Sequence, residues 1–179
     1  MEQKMEFFRS HNEYVANHVN VLSGSYRNFS GEKRLNPQNG KLINEKGKRN
    51  FCMVIDPEFV PIMEAEHVLV KYLKKRDEDD DHSIPPAYVK VNIKMDSKIP
   101  PDIYKVTSKH KQKLKESNIS QLDSAYFENV DMKLSVYHAD ADSGTLYMNA
   151  GYFTIKLDPL AEKYEDLPEI SDDEELPFD

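Results

Sequence analysis

Tryptophan is absent, cysteine occurs once and glycine only six times in the 179 residues. Each scarcity excludes something. A single thiol, Cys52, can form neither an intrachain disulfide nor a thiolate zinc site, and it suits a reducing compartment. The six histidines are scattered, so neither a metal nor a cofactor is expected. No GxGxxG or GxxxxGK[ST] loop occurs to cradle a nucleotide's phosphates, and GxSxG and HExxH are missing too. No apolar run approaches the ~20 residues of a membrane-spanning helix. The opening MEQKMEFFRSHNEY has charges where a secretory signal needs an apolar stretch. The expectation is a protein that is neither an enzyme of familiar motif nor membrane-bound.

What is present is a core's worth of apolar residues, at 39%, with ten Tyr and eight Phe. That suffices for one domain with appendages. The net charge of -8 is unevenly placed. Residues 158–179 hold ten acids and one base, or -9, which leaves the first 157 residues at +1. Asp77-Glu78-Asp79-Asp80-Asp81 supplies -5 of that body, so the remainder is +6. A mildly basic body with a strongly acidic end points toward nucleic acid.

Residues 1–18 read as an arm or short helix. Val19–Leu22 and Tyr26–Ser30 read as a first strand bent at Gly24, and Asn50–Ile55 as a buried strand. Between them lies a Gly-, Asn- and Lys-rich loop with a turn signal at Pro37-Gln38-Asn39-Gly40. Asp56 and Pro57 open a helix expected to run to about Lys74. Ala87–Met95 alternates, with Tyr88, Lys90, Asn92 and Lys94 on one face. Asp102–Thr107 reads as a strand, and the basic Lys109–Lys115 as helix or loop. Tyr126–His138 and Thr145–Leu157 read as long strands joined by the turn Asp140–Gly144, with Gly151 marking a bulge or bend. The expected fold is mainly β: an OB-fold-like, five-stranded, bent antiparallel barrel over residues 19–157, with one helix between strands and extra loops and hairpins. Residues 158–179 form an acidic tail too charged to pack.

Three features suggest chemistry. Tyr26–Phe51 interleaves Arg27, Lys33, Arg34, Lys48 and Arg49 with Tyr26, Phe29 and Phe51. Cations follow phosphates and flat rings accept unpaired bases. Arg27, Lys33, Arg34, Lys48, Arg49, Lys90 and Lys94 are therefore candidate phosphate contacts, and Tyr26, Phe29 and Tyr88 candidate stacking rings. Core packing is the alternative for Tyr26 and Phe29, and the favoured reading for Phe51 and Cys52. The tail ends in Asp172-Asp173-Glu174-Glu175 followed by the apolar Leu176-Pro177-Phe178. Phe178 can fill a partner's pocket while the acids meet a basic rim, or the acids can compete for the body's own cations. Asp77–Asp81 with His82 reads as a solvated loop.

Arg27-Asn28-Phe29-Ser30-Gly31-Glu32, then Arg49-Asn50-Phe51-Cys52, resembles the paired motif of bacteriophage single-stranded-DNA-binding proteins. Pro100-Pro101-Asp102-Ile103-Tyr104, Phe127-Glu128-Asn129-Val130-Asp131-Met132 and Tyr152-Phe153-Thr154-Ile155 with Leu160-Ala161-Glu162-Lys163-Tyr164 are similar to later parts of the same pattern. The resemblance implies an OB-fold, sequence-independent binding of single strands during replication or recombination, and work in the cytoplasm of a bacterial host. The tail is similar to the acidic tips of single-strand binders, which implies recruitment of replication and recombination proteins. It departs from the bacterial pattern in placing Asp179 after Phe178. A homo-oligomer is compatible with the sequence. Two rival readings stand beside this one: a phage adaptor that binds protein but not DNA, and a metal-dependent nuclease built on Asp96, Asp102, Asp123 and Asp131.

Overall fold

The structure, a computed structural model, describes residues 3–74, 85–165 and 167. The chain is mainly β. Its strands are β1 (Glu6–Ser10), β2 (Glu13–Asn17), β3 (Arg27–Asn28), β4 (Arg34–Leu35), β5 (Leu42–Asn44), β6 (Arg49–Ile55), β7 (Lys71–Tyr72), β8 (Ala87–Ile93), β9 (Asp102–Val106), β10 (Lys111–Lys113), β11 (Phe127–Tyr137) and β12 (Thr145–Ile155). Among the described residues, two short helices, α1 (Val60–Ala65) and α2 (Pro159–Lys163), complete it, with 3-10 turns at Gly24–Tyr26, Pro57–Phe59 and Ile119–Asp123.

The main sheet runs β1-β2-β11-β12-β8-β6-β3. β12 is its pivot: antiparallel to β11 on one edge, parallel to β8 and then β9 on the other. β10 extends β9, β7 adds to β8, and β4–β5 is a separate hairpin. The expected all-antiparallel barrel is therefore corrected to a mixed sheet. Nor does the ladder close, because residues 19–22 span the gap without forming a regular strand. Val19 N–H donates to Val130 O, Leu22 N–H to Cys52 O, and Val54 N–H to Asn20 O. A lone bridge pairs Val21 with Met53.

Alternation decides which residues go inside. Phe51, Met53 and Ile55 of β6, Val89, Val91 and Ile93 of β8, and Val130, Met132 and Leu134 of β11 are all buried. At the centre lies a ring cluster. Phe29 stacks on Phe51 at 5.2 Å, and Phe153 meets both edge-on at 5.7 and 6.1 Å. Phe127 closes on Phe153 at 5.1 Å. Two bulges aim these rings. β11 carries an extra residue at Glu128, and β12 one at Asn149, where Lys133 pairs with Ala150 but Leu134 pairs with Met148. Gly151, next to the second bulge, leaves no space for a side chain: a Cβ there would lie 2.6 Å from Met148 Sδ and 2.9 Å from Phe153.

Several local expectations change. Residues 6–17 are neither arm nor helix but the β1–β2 hairpin, whose Phe7 stacks on Tyr14 at 5.0 Å with both rings buried. The helix expected to reach Lys74 stops at Ala65. His67 takes a left-handed φ of 59°, and its carbonyl accepts Gly144 N–H, which tucks the β11–β12 turn against the helix end. Lys71 and Tyr72 belong to a strand, and so does the centre of Lys109–Lys115. Among the described residues, no helix is long and apolar enough to cross a membrane.

Candidate nucleic-acid interface

The outward face of β6 and β8 is built by the same alternation that fills the core. Asn50, Cys52 and Val54 point out from β6, and Tyr88, Lys90 and Asn92 from β8. They sit opposite one another in register, as Asn50–Asn92, Cys52–Lys90 and Val54–Tyr88. Lys71 of β7 flanks Tyr88 from the other edge. Gly24, at φ 67°, opens the turn that delivers Tyr26, whose ring meets Tyr88 edge-on at 5.3 Å. Arg34 Nη1 donates to Ser25 O at 3.1 Å, tying the β4–β5 hairpin to that turn.

On its far side the face continues onto β12. Tyr147 lies beside Asn92 in parallel register, and Asn92 Nδ2 donates to Leu146 O at 3.2 Å. Beyond it opens a groove of about 730 Å³, lined by Lys94, Ile99, Pro100, Asp102, Tyr137 and Tyr147, among others.

Partial burial shapes the polar groups here. It pushes the Tyr88 hydroxyl above its ordinary value, with Tyr26 and Cys52 adding to the effect, so the phenol stays a neutral donor. Burial likewise pushes the Cys52 thiol up, against the pull of Lys90 and Lys71. The face thus presents neutral rings and positive lysines.

The structure sorts the candidate residues. It brings Tyr26 and Tyr88 together, with Lys90 exposed beside them and Lys94 exposed at the groove. Lys33 and Lys48 are exposed around the β4–β5 hairpin, and Lys48 pairs with Glu45 at 3.2 Å. Arg34 is half-buried against Ser25.

Two candidates are corrected, and a third, half-buried, turns to the other side of β6. Phe29 is wholly buried in the ring cluster and cannot receive a base. Arg27 is buried too. Its guanidinium lies 4.2 Å over Phe127 and donates to the carbonyls of Val21, Leu22, Leu122 and Ala125. Burial lowers its pKa while Asp123 offsets the effect; an arginine keeps its charge regardless. Arg49 shares the inward parity of Phe51, so it leaves the face its neighbour Asn50 joins; its Nε is buried with no hydrogen-bond partner among the described residues.

The tail residues Asp172, Asp173, Glu174, Glu175, Leu176, Pro177 and Phe178, and the loop Asp77–Asp81 with His82, lie outside the described residues. Tyr147 and Lys71 were missed from the sequence. Tyr147 was within reach, since it alternates with the apolar Leu146 and Met148. Lys71 was hidden by assigning its segment to a helix. Three of the four carboxylates of the nuclease reading are already engaged. Asp123 accepts the N–H groups of Phe29 and Ser30, Asp131 those of His18 and Asn129, and Asp102 pairs with Lys113. Among the described residues, no three His, Cys, Asp or Glu side chains gather as a metal site would need.

Rings set among cations along an exposed sheet face are the means by which proteins hold single-stranded nucleic acid. Residues 7–176 match the family described as "Putative phage ssDNA-binding domain", and the chain belongs to that family. Among solved structures, the chain is similar to the single-stranded DNA-binding protein from bacteriophage Enc34 in complex with ssDNA. The identity is 8%, the match covers 83% of this chain and 89% of that one, and the TM-score is 0.46. It is also similar to a C-terminal truncation of the Enc34 protein, with 10% identity, 89% and 99% coverage and a TM-score of 0.43. No curated protein matches the sequence.

Proposed function

We propose that this protein coats single-stranded DNA without regard to sequence, as a non-enzymatic component of a phage replication or recombination system in the bacterial cytoplasm. The observation that carries this is the Tyr26–Tyr88 pair, set on one outward face with Lys71, Lys90 and Asn92 and continued by Tyr147. Bases would stack on the rings while the backbone follows Lys90, Lys71 and the exposed cations of the hairpin, Lys33 and Lys48. Lys94 would take phosphate where the face meets the groove.

The acidic tail is read as both competitor and handle. Its acids would contend with phosphate for the same lysines, and Leu176-Pro177-Phe178 would dock replication or recombination proteins.

Titrating labelled oligo-dT at two salt concentrations tests the reading. Affinity should fall as salt rises, because each neutralised phosphate releases counterions. Absence of binding at low salt overturns it. The tail is tested by truncation. Residues up to Glu165 should be retained, because Asp158 caps α2, Lys109 Nζ donates to Glu162 O and Ser108 Oγ to Glu165. Removing residues from Pro168 onward should raise single-strand affinity, most at low salt, where charge is least screened. Unchanged affinity would refute the competition.

A further inference from the structure

A second set of rings stands apart from Tyr26 and Tyr88. Tyr104 of β9 and Tyr152 of β12 are register partners and stack face to face, 5.1 Å between centroids and 11° from parallel. Lys111 of β10 places its ammonium 4.9 Å from the Tyr104 centroid. Tyr104 is thereby sandwiched, and Tyr152 keeps 42% of its surface exposed. Lys133, also exposed, projects from β11 opposite Ala150, one outward position from Tyr152.

Core packing does not account for this stack, because the buried side of the same strands is filled by Ile103 and Phe153. Nor is it isolated. The groove that begins at Lys94 and Tyr147 ends against Asp102, which pairs with Lys113 and lies two residues before Tyr104 on the same face. Tyr147 and Tyr152 share the outer side of β12, roughly 15 Å apart at strand rise. Their neighbours decide where a backbone could run. Asp131, opposite Tyr152 on β11, is negative, so phosphates are steered toward Lys111 on the β9–β10 side.

We infer that the bound single strand leaves the Tyr26–Tyr88 face, passes along the groove beside Lys94 and Tyr147, and reaches a second stacking station. There an unpaired base lies on Tyr152, and the phosphate of a neighbouring nucleotide reaches Lys111 beyond Tyr104. Rings and cations suit a nucleic acid better than a protein partner, which would call for a drier apolar patch. The inference rests on the single-strand reading above, and oligonucleotide length separates the two. A short oligomer can occupy the first face alone, whereas a long one reaches both stations.

The experiment uses the full chain and labelled dT of about 5 and about 16 nucleotides, the span of site sizes for one such domain. Tyr152→Ala should weaken binding of the long oligomer by about tenfold and leave the short one unaffected. Tyr152→Phe, which keeps the ring, should bind both like the parent. Lys111→Ala should lower the salt dependence for the long oligomer only. Tyr88→Ala should weaken both lengths. Unchanged long-oligomer affinity in Tyr152→Ala overturns the second station, and so does an equal loss on both lengths. A Tyr152→Phe variant as weak as Tyr152→Ala overturns it as well, since the ring face would not be the contact. If the parent binds neither oligomer, the single-strand reading itself fails.

Discussion

Two populations of aromatic rings occupy opposite sides of one sheet. Inside, Phe29, Phe51, Phe127 and Phe153 lock together with Arg27 lying over them. Outside, Tyr26, Tyr88, Tyr147, Tyr104 and Tyr152 stand among lysines. The hydroxyl is what separates them: a phenylalanine loses nothing by leaving water, whereas a buried tyrosine needs a partner for its O–H. Tyr26 and Phe29 are three residues apart yet belong to different populations, one at the end of a 3-10 turn, the other in the loop that β3 carries into the core. For this pair, ring type, more than position in a basic stretch, tells which ring is offered to a ligand.

The division can be broken most forcefully from within. Phe153→Ala removes the ring that touches Phe29, Phe51 and Phe127, and should cost about 3–5 kcal/mol of stability by urea unfolding. A smaller loss would mean the cluster is less cohesive than its geometry.

Arg27→Met tests the basic member of the inner group. Leaving four backbone carbonyls without their donor should cost about 1–3 kcal/mol, read as a lower melting temperature. The folded fraction should bind oligo-dT as the parent does. Weaker DNA binding at unchanged stability would move Arg27 to the outer population.

Tyr88→Ala is the mirror experiment. Single-strand affinity should drop by roughly 1–3 kcal/mol while the unfolding midpoint barely moves. A large stability change would show that the outer rings also hold the fold. Lys90→Gln should act more gently, reducing the slope of log affinity against log salt by about 1.

The smallest effect concerns Cys52, half-buried on the outer face. Its thiol pKa is raised above the usual 9.0 by burial, so alkylation at neutral pH should be slow. The raised value also sets a sign. The unfolded thiol ionises first as pH climbs, so the folded state loses relative stability above about pH 9, and nothing below it. Cys52→Ser should flatten that alkaline decline, which chemical denaturation at pH 8 and pH 10 would reveal.

The regular strands were legible because period-two alternation survives in a single chain. Ala87–Ile93 and Phe127–Tyr137 show it, and with it came Tyr88, Lys90 and Lys94 as outward residues. What stayed hidden follows from contacts distant in sequence. Arg27 looks like any surface arginine until Leu122 and Ala125 supply carbonyls from almost a hundred residues away. Phe29 sits in a stretch whose strand is only two residues long, too short for alternation to reveal its side. The β1–β2 hairpin was obscured by its charges, because Phe7 and Tyr14 are buried by each other and by Phe59, not by a run of apolar neighbours. The parallel junctions of β12 with β8 and β9 leave no trace in local sequence at all.

The bulge at Asn149 shifts the parity of β12. Before it, odd-numbered side chains such as Tyr147 face outward; after it, even-numbered ones such as Tyr152 do. The extra residue is slack: with Asn149 removed, Met148 and Ala150 would face Leu134 and Lys133 in plain alternation, and Tyr152 and Phe153 would keep their sides. One residue inserted between Gly151 and Tyr152 with the ladder kept would instead turn Tyr152 to the core and Phe153 to solvent, exchanging a stacking surface for an exposed hydrophobic one. Insertions beyond the bulge should therefore be tolerated far less than in the β4–β5 hairpin, where an added residue changes only reach.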